Sequence, residues 1–189
     1  MRVIAGIAKG RRLQSVPGEG TRPISDRVKS ALFSILVSQD AIRDSRWLDL
    51  FGGTGAVGIE ALSRGAGTVV FVERSGKALE VIGQNLSSTG LGDLGKSHVV
   101  RGDAFTYVDR PDLEAFDIIY VAPPQYHDLW KKVLTIIDRR PDLLSELGQV
   151  IVQIHPKEDD EGLPLANLER YDQRQYGSTR LIFFELSGD

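Results

Sequence analysis

The chain has 189 residues, a formal net charge of −3, 41% hydrophobic residues and no cysteine. That length suits one domain with a small appendage, and the apolar share is enough for a core. The missing thiols exclude disulfides, thiolate catalysis and cysteine–zinc sites, and no apolar run reaches the length of a membrane span.

The opening residues Met1-Arg-Val-Ile-Ala-Gly6 soon meet Lys9, Arg11 and Arg12, which argues against a signal peptide and for a cytoplasmic protein. Val3-Ile-Ala and Arg12-Leu-Gln flank Gly6 and Lys9-Gly10, a pattern that predicts a short β-hairpin. Residues 1–30 hold seven Lys or Arg against two acids, so the rest of the chain is markedly acidic. A basic segment on an acidic body suits docking to a polyanion; its other reading is a solvated hairpin without a partner. Ser25 is placed to cap a helix with apolar positions Val28, Ala31, Leu32, Ile35 and Leu36.

From Trp47 onward strands and helices alternate. Strands are expected from Trp47 into Asp49 and at Thr68–Val72, His98–Val100, Phe116–Val121 and Val150–Ile154, with helices at Ala56–Leu62, Gly76–Ser88 and Leu129–Ile137. Leu79, Ile82 and Leu86 would form the apolar face of the second helix. Leu168–Tyr176 and Thr179–Leu186 flank Gly177-Ser178 as a closing antiparallel hairpin. Continuous apolar strands separated by helices predict a parallel sheet covered on both faces. The charge run Lys157–Glu161 reads as a solvated loop, and Arg180 as a solvent-facing hairpin residue.

Strand C-termini in such a sheet meet at one crevice, and here they carry Asp49, Glu73, Asp103 and Ala122-Pro-Pro. Residues 53–58 spell G-x-G-x-x-G, which alone is a weak dinucleotide signal. Asp49, four residues before Gly53, repels phosphate by roughly 4 kcal/mol at about 4 Å and an effective dielectric near 20. The same carboxylate favours a cation such as S-adenosyl-L-methionine, with its ammonium and sulfonium; the bland alternative is an Asp that caps the next helix. Glu73 follows at a distance suited to a ribose diol, and Asp103 stands one strand further out, toward an adenine amino group. His98, His127 and His155 show no ligand spacing, so no metal is expected. Trp130 and Phe183 read as core residues.

Asp49-Leu-Phe-Gly-Gly-Thr-Gly55, Phe71-Val-Glu-Arg74, Arg101-Gly-Asp-Ala104 and Pro123-Pro-Gln-Tyr126 together resemble a class I S-adenosylmethionine-dependent methyltransferase. Arg2–Gly6, Lys9–Leu13, Thr21-Arg-Pro23 and Asp26–Val28 resemble, more narrowly, the RsmD family, which methylates the exocyclic N2 of one guanine in 16S ribosomal RNA. The resemblance implies a Rossmann-like α/β fold, a mostly parallel seven-stranded sheet with a C-terminal antiparallel hairpin. It divides the chain into a basic extension at 1–45 and a methyltransferase domain at 46–189. It also implies that Asp49 and the Gly52, Gly53 and Gly55 loop cradle the methionine part of the cofactor, Glu73 holds the ribose, and Asp103 and the Ala104 amide read the adenine, with Phe51 and Arg74 as further cofactor contacts. Lys9, Arg11, Arg12, Arg22 and Arg27 would bind RNA, and Ala122, Pro123, Pro124 and Tyr126 would seat the base. The expected partner is 16S rRNA, naked or in a 30S particle, met by a monomer.

One position departs from the pattern. The family has an acid before the two prolines; this chain has Ala122. An exocyclic amine is a poor nucleophile, and the acid accepts its N–H. Positioning alone contributes several kcal/mol, so activity is expected through main-chain acceptors, with Gln125 or Asp128 as substitutes. Ala122 keeps open a second reading, a non-catalytic RNA-binding or assembly factor; a nucleotide-dependent oxidoreductase is the third, against which Asp49 argues.

Overall fold

The computed structural model describes residues 1–17, 24–160 and 162–188. The expected contribution of Arg22, with its neighbours Thr21 and Pro23, lies outside the described residues. In chain order the elements are α1 (Asp26–Ser38), β1 (Arg46–Leu50), α2 (Ala56–Ser63), β2 (Thr68–Glu73), α3 (Gly76–Thr89), β3 (Ser97–Arg101), α4 (Ala104–Val108), β4 (Phe116–Val121), α5 (Leu129–Asp138), β5 (Leu144–Ile154), β6 (Leu168–Tyr176) and β7 (Thr179–Leu186).

Among the described residues the strands form one seven-stranded sheet in the order β3-β2-β1-β4-β5-β7-β6. The first five run parallel, and β7 enters antiparallel to both β5 and β6. Side chains alternate across the sheet, so each strand feeds two cores. On one face Trp47, Phe71, Tyr120, Ile151 and Phe183 pack with α1, α2 and α3; on the other Leu48, Val70, Ile119, Val152 and Phe184 pack with α4 and α5. Trp130 and Phe183 are buried, as expected of core residues.

The sequence pattern failed at particular places. The N-terminal hairpin is present but short: one antiparallel bridge, Arg2 to Arg12, with the Val3 N–H donating to the Arg11 carbonyl (2.9 Å), the Gly10 N–H to that of Val3 (2.9 Å) and the Leu13 N–H to that of Met1 (3.1 Å). Its backbone is also held by α2: Glu60 accepts the N–H groups of Ile4 (2.7 Å) and Ala5 (3.0 Å), and Ser63 Oγ that of Ala8 (3.0 Å). Val3, Ala8 and Leu13 join the same core as α1 and α2. Ser25 caps α1 by accepting from the Val28 N–H, but Lys29, counted above with the basic segment, is fully buried. It pairs with Glu60 at 3.3 Å and donates to the Arg2 carbonyl at 2.6 Å. The α3 face turns so that Ala78, Val81, Ile82, Asn85 and Leu86 are buried while Leu79 is only half-buried. β5 begins six residues earlier than expected, and α4 was not expected.

Of the charge run, residue 161 lies outside the described residues, and residues 157–160 are not simply a solvated loop. Pro156–Glu158 forms a 3₁₀ turn, and the Asp159 carboxylate is nearly buried between Arg170 and Arg180. Arg180 is therefore an ion-paired residue rather than a solvent-facing one.

Candidate cofactor and base crevice

β1 lies between β2 and β4, with Asp49 opposite Phe71 on one side and Tyr120 on the other. The chain leaves β1 toward β2 and later returns to β4, so the strand order reverses there, and ligands bind at such a switch point. A crevice of about 790 Å³ opens at this edge. Of the residues singled out above, Asp49, Phe51, Gly52, Gly53, Glu73, Arg74, Asp103, Ala104, Ala122, Pro123 and Pro124 line it. Gly55 and Tyr126 do not, nor does Asp128, which pairs with Lys131 at 3.2 Å. Gly55 instead caps α2 with φ +73°, a left-handed conformation that suits glycine. Tyr126 is 64% exposed on the outgoing loop; its N–H donates to Glu158 at 2.7 Å and its ring lies 5.6 Å from that of His155.

Asp49 is 2% exposed, and its Oδ2 accepts the Gly58 N–H at 3.1 Å. It thus makes the contact expected of a helix-capping acid, yet it also faces the crevice. Burial pushes its carboxyl up to about 7; the Gly58 bond opposes that rise, and the Glu73 charge adds to it. Among the described residues no cation is paired with it. Tyr120, beside it, is pushed up by burial and by the Asp49 charge.

Glu73 ends β2 and organises the loop above it. Oε2 accepts the Gly53 N–H at 3.0 Å, and Oε1 accepts those of Arg74 and Ser75, both at 2.8 Å. Asp103 Oδ1 caps α4 through the Thr106 N–H at 3.0 Å. The glycines answer to space as well as to φ. A Cβ on Gly52 would stand 3.2 Å from Ile82 Cδ1, and one on Gly58 would stand 2.3 Å from Phe71 Cε1. Phe51 (φ 61°), Tyr126 (φ 66°) and Asp128 (φ 51°) hold left-handed backbone without being glycine, on the two loops that leave β1 and β4. Such outliers concentrate at ligand sites.

Other lining residues escaped the sequence reading: Ile24, Tyr120, His127, Lys132 and Gln153. Tyr120 Oη donates to Gln153 Oε1 at 2.6 Å. The alternation of β4 and β5 carries the signal for these two, since both sit at inward positions near strand ends; nothing local marks His127 or Lys132. Lys9, Arg11, Arg12 and Arg27 are exposed. Among the described residues no cluster of three or more His, Asp or Glu is arranged to hold a metal, and no helix is long and apolar enough to cross a membrane.

The sheet order, the reversed β7 and the crevice at the strand tips are those of a class I methyltransferase fold. The solved structure of Escherichia coli yhhF superposes with a TM-score of 0.83 at 26% identity, covering 97% of this chain and 96% of that one. A family model described as "Conserved hypothetical protein 95" matches residues 1–185, and the chain belongs to that family. Bacillus subtilis YlbH is 34% identical over 190 residues, the whole of both chains. The Escherichia coli ribosomal RNA small subunit methyltransferase D is 29% identical over 193 residues, covering all of this chain and 92% of that one.

Proposed function

We propose that the chain transfers a methyl group from S-adenosyl-L-methionine to the exocyclic N2 of a guanine in 16S ribosomal RNA, in the cytoplasm. The observation that carries this reading is Asp49, a buried strand-tip carboxylate that lines the crevice and, among the described residues, pairs with no cation. A cationic ligand supplies a positive charge; a pyrophosphate would add a second negative one. The name of the Escherichia coli relative supports ribosomal RNA as the substrate class.

The residues fit the cofactor. Asp49 and the Gly52-Gly53 backbone would take its methionine part, Glu73 with Arg74 its ribose, and Asp103 with Ala104 its adenine. Asp103 uses only Oδ1 in its cap, leaving Oδ2 to accept. When bound, the cofactor supplies an electrophilic methyl group on a sulfonium.

The rest falls to the protein. Pro123 and Pro124 lack N–H groups, so at this wall the main chain offers mainly acceptors. These carbonyls, with the amides of Gln125 and Gln153, accept from the target amine in place of the missing acid at Ala122. Tyr126, between the lining residues Gln125 and His127, offers an exposed ring to an extruded base, a contact worth about 1–3 kcal/mol. Lys9, Arg11, Arg12 and Arg27 neutralise phosphates, which makes affinity fall with salt.

The test is transfer of tritium from labelled cofactor to 30S particles prepared from cells lacking this gene, followed by mass mapping of the modified guanines. Wild-type protein labels one guanine and Asp49→Ala does not. Equal background from both would favour the non-catalytic factor that Ala122 keeps in view.

A further inference from the structure

α3 carries one polar side chain on its core face with an unusual set of partners. Asn85 is fully buried among Val81, Ile82 and Leu86. Its Oδ1 accepts the Gln14 N–H at 2.7 Å, and its Nδ2 donates to the Gln14 carbonyl at 3.1 Å. The side-chain amide thus grips both backbone groups of one residue, as a neighbouring strand would. Nδ2 also donates to the Thr54 carbonyl at 2.9 Å. The reverse orientation of the amide would set oxygen against two carbonyls and NH₂ against an N–H, so its partners fix it.

These contacts join two parts of the proposed site. Gln14 closes the N-terminal strap, which exposes Lys9, Arg11 and Arg12. Thr54 lies between Gly53 and Gly55 and lines the crevice. A second thread runs alongside: Met1 Sδ lies 3.9 Å from Thr54 Oγ1. Ten residues beyond Gln14, Ile24 forms part of the crevice wall. A leucine would fill the same space, and a buried amide is costly unless each of its groups is matched.

Resting on the function proposed above, we propose that Asn85 is a positioning residue that couples RNA binding on the strap to cofactor binding in the glycine loop. The Gln14 end of the strap is the part with two arrangements, docked on Asn85 or released, while Val3 and Ala8 keep the rest in the core. RNA on its cations favours the docked one, and the docked one holds Thr54 and the adjoining glycines in the cofactor-ready conformation. By linkage, cofactor must then strengthen RNA binding by the same factor.

Equilibrium dialysis with tritiated S-adenosylhomocysteine, with and without 16S rRNA, measures the coupling directly. Wild-type protein should bind the nucleoside about fivefold or more tightly when RNA is present. Asn85→Ala and Asn85→Asp should bring that ratio close to one. The adjacent core variant Leu86→Ala, which loses stability but keeps the amide, should retain it. Hydrogen exchange on the unaltered protein is the second measurement: RNA should slow exchange of the Gln14 and Gly55 amides. A ratio of one in the wild type, an undiminished ratio in the Asn85 variants, equal loss in Leu86→Ala, or unchanged exchange at Gln14 and Gly55 each overturns the coupling. A wild type that binds neither ligand overturns the proposed function itself, and the coupling with it.

Discussion

The Gly53 N–H donates to Glu73 Oε2 at 3.0 Å, so the acid that ends β2 holds the loop that follows β1. Its second oxygen takes two further amides, from Arg74 and Ser75. Hydrogen bonds to a charged group each contribute about 1.5–3 kcal/mol, and part of that is lost to solvent here. Glu73→Ala should lower stability by about 1–3 kcal/mol and speed exchange of the Gly53 amide. Urea unfolding and amide exchange check the two effects separately.

Asp49 sets a pH dependence. Its folded pKa, about 7, lies above the unfolded value of 3.8. The folded state therefore holds the proton more tightly between these values, and ligand-free stability falls as pH rises from about 4 to about 7 and levels off above that. Asp49→Asn keeps an acceptor for Gly58 and removes the charge. It should melt higher than wild type at about pH 7, with the gap narrowing as pH falls and closing only near the unfolded value, at about pH 4. Melts of the ligand-free proteins at both pH values read this; a gap independent of pH would count against it.

Lys29 and Glu60 are both fully buried. Burial lowers the Lys29 pKa, while the Glu60 charge and hydrogen bond act the other way. Glu60 also holds Arg64 at 2.7 Å and the backbone of Ile4 and Ala5. Lys29→Met leaves a buried acid short of one partner and should cost about 3–5 kcal/mol. Adding Glu60→Gln should recover part of that, a coupling that a double-mutant cycle measures.

Gly58 lets α2 sit directly on β2. A methyl group there would meet the buried Phe71 ring at 2.3 Å and Val69 Cγ1 at 2.8 Å. Alanine gains up to about 1 kcal/mol of helix propensity, whereas overpacking costs about 1–3 kcal/mol. Gly58→Ala should therefore shift the urea midpoint down, with little change in the slope.

The strand-tip acids were legible because parallel strands bring successive loop starts to one edge, so Asp49, Glu73 and Asp103 could be placed together from element order alone. The closing hairpin was legible to the residue, since Gly177-Ser178 marks its turn. Other features depend on partners far along the chain. Lys29 looked like a surface cation until Glu60, 31 positions on, was seen to bury with it. The early part of β5 lacks an apolar run, and Leu147 there is 91% exposed. α4 is five residues long and is started by the same Asp103 that reads as a ligand acid. Gln153 and Lys132 reach the crevice from separate elements, and local pattern says nothing of their meeting.

The strap docked on α2 and α3 also bears on how the chain is made. Ile4, Ala5 and Ala8 bond to side chains 55 or 56 positions later, and Gln14 to one 71 positions later. During translation this segment leaves the ribosome well before its binding surface exists. Closing so long a loop adds little entropy cost relative to a shorter one, but it fixes an order of events: a segment made before its partners is seated late, after α2 and α3 have formed behind it.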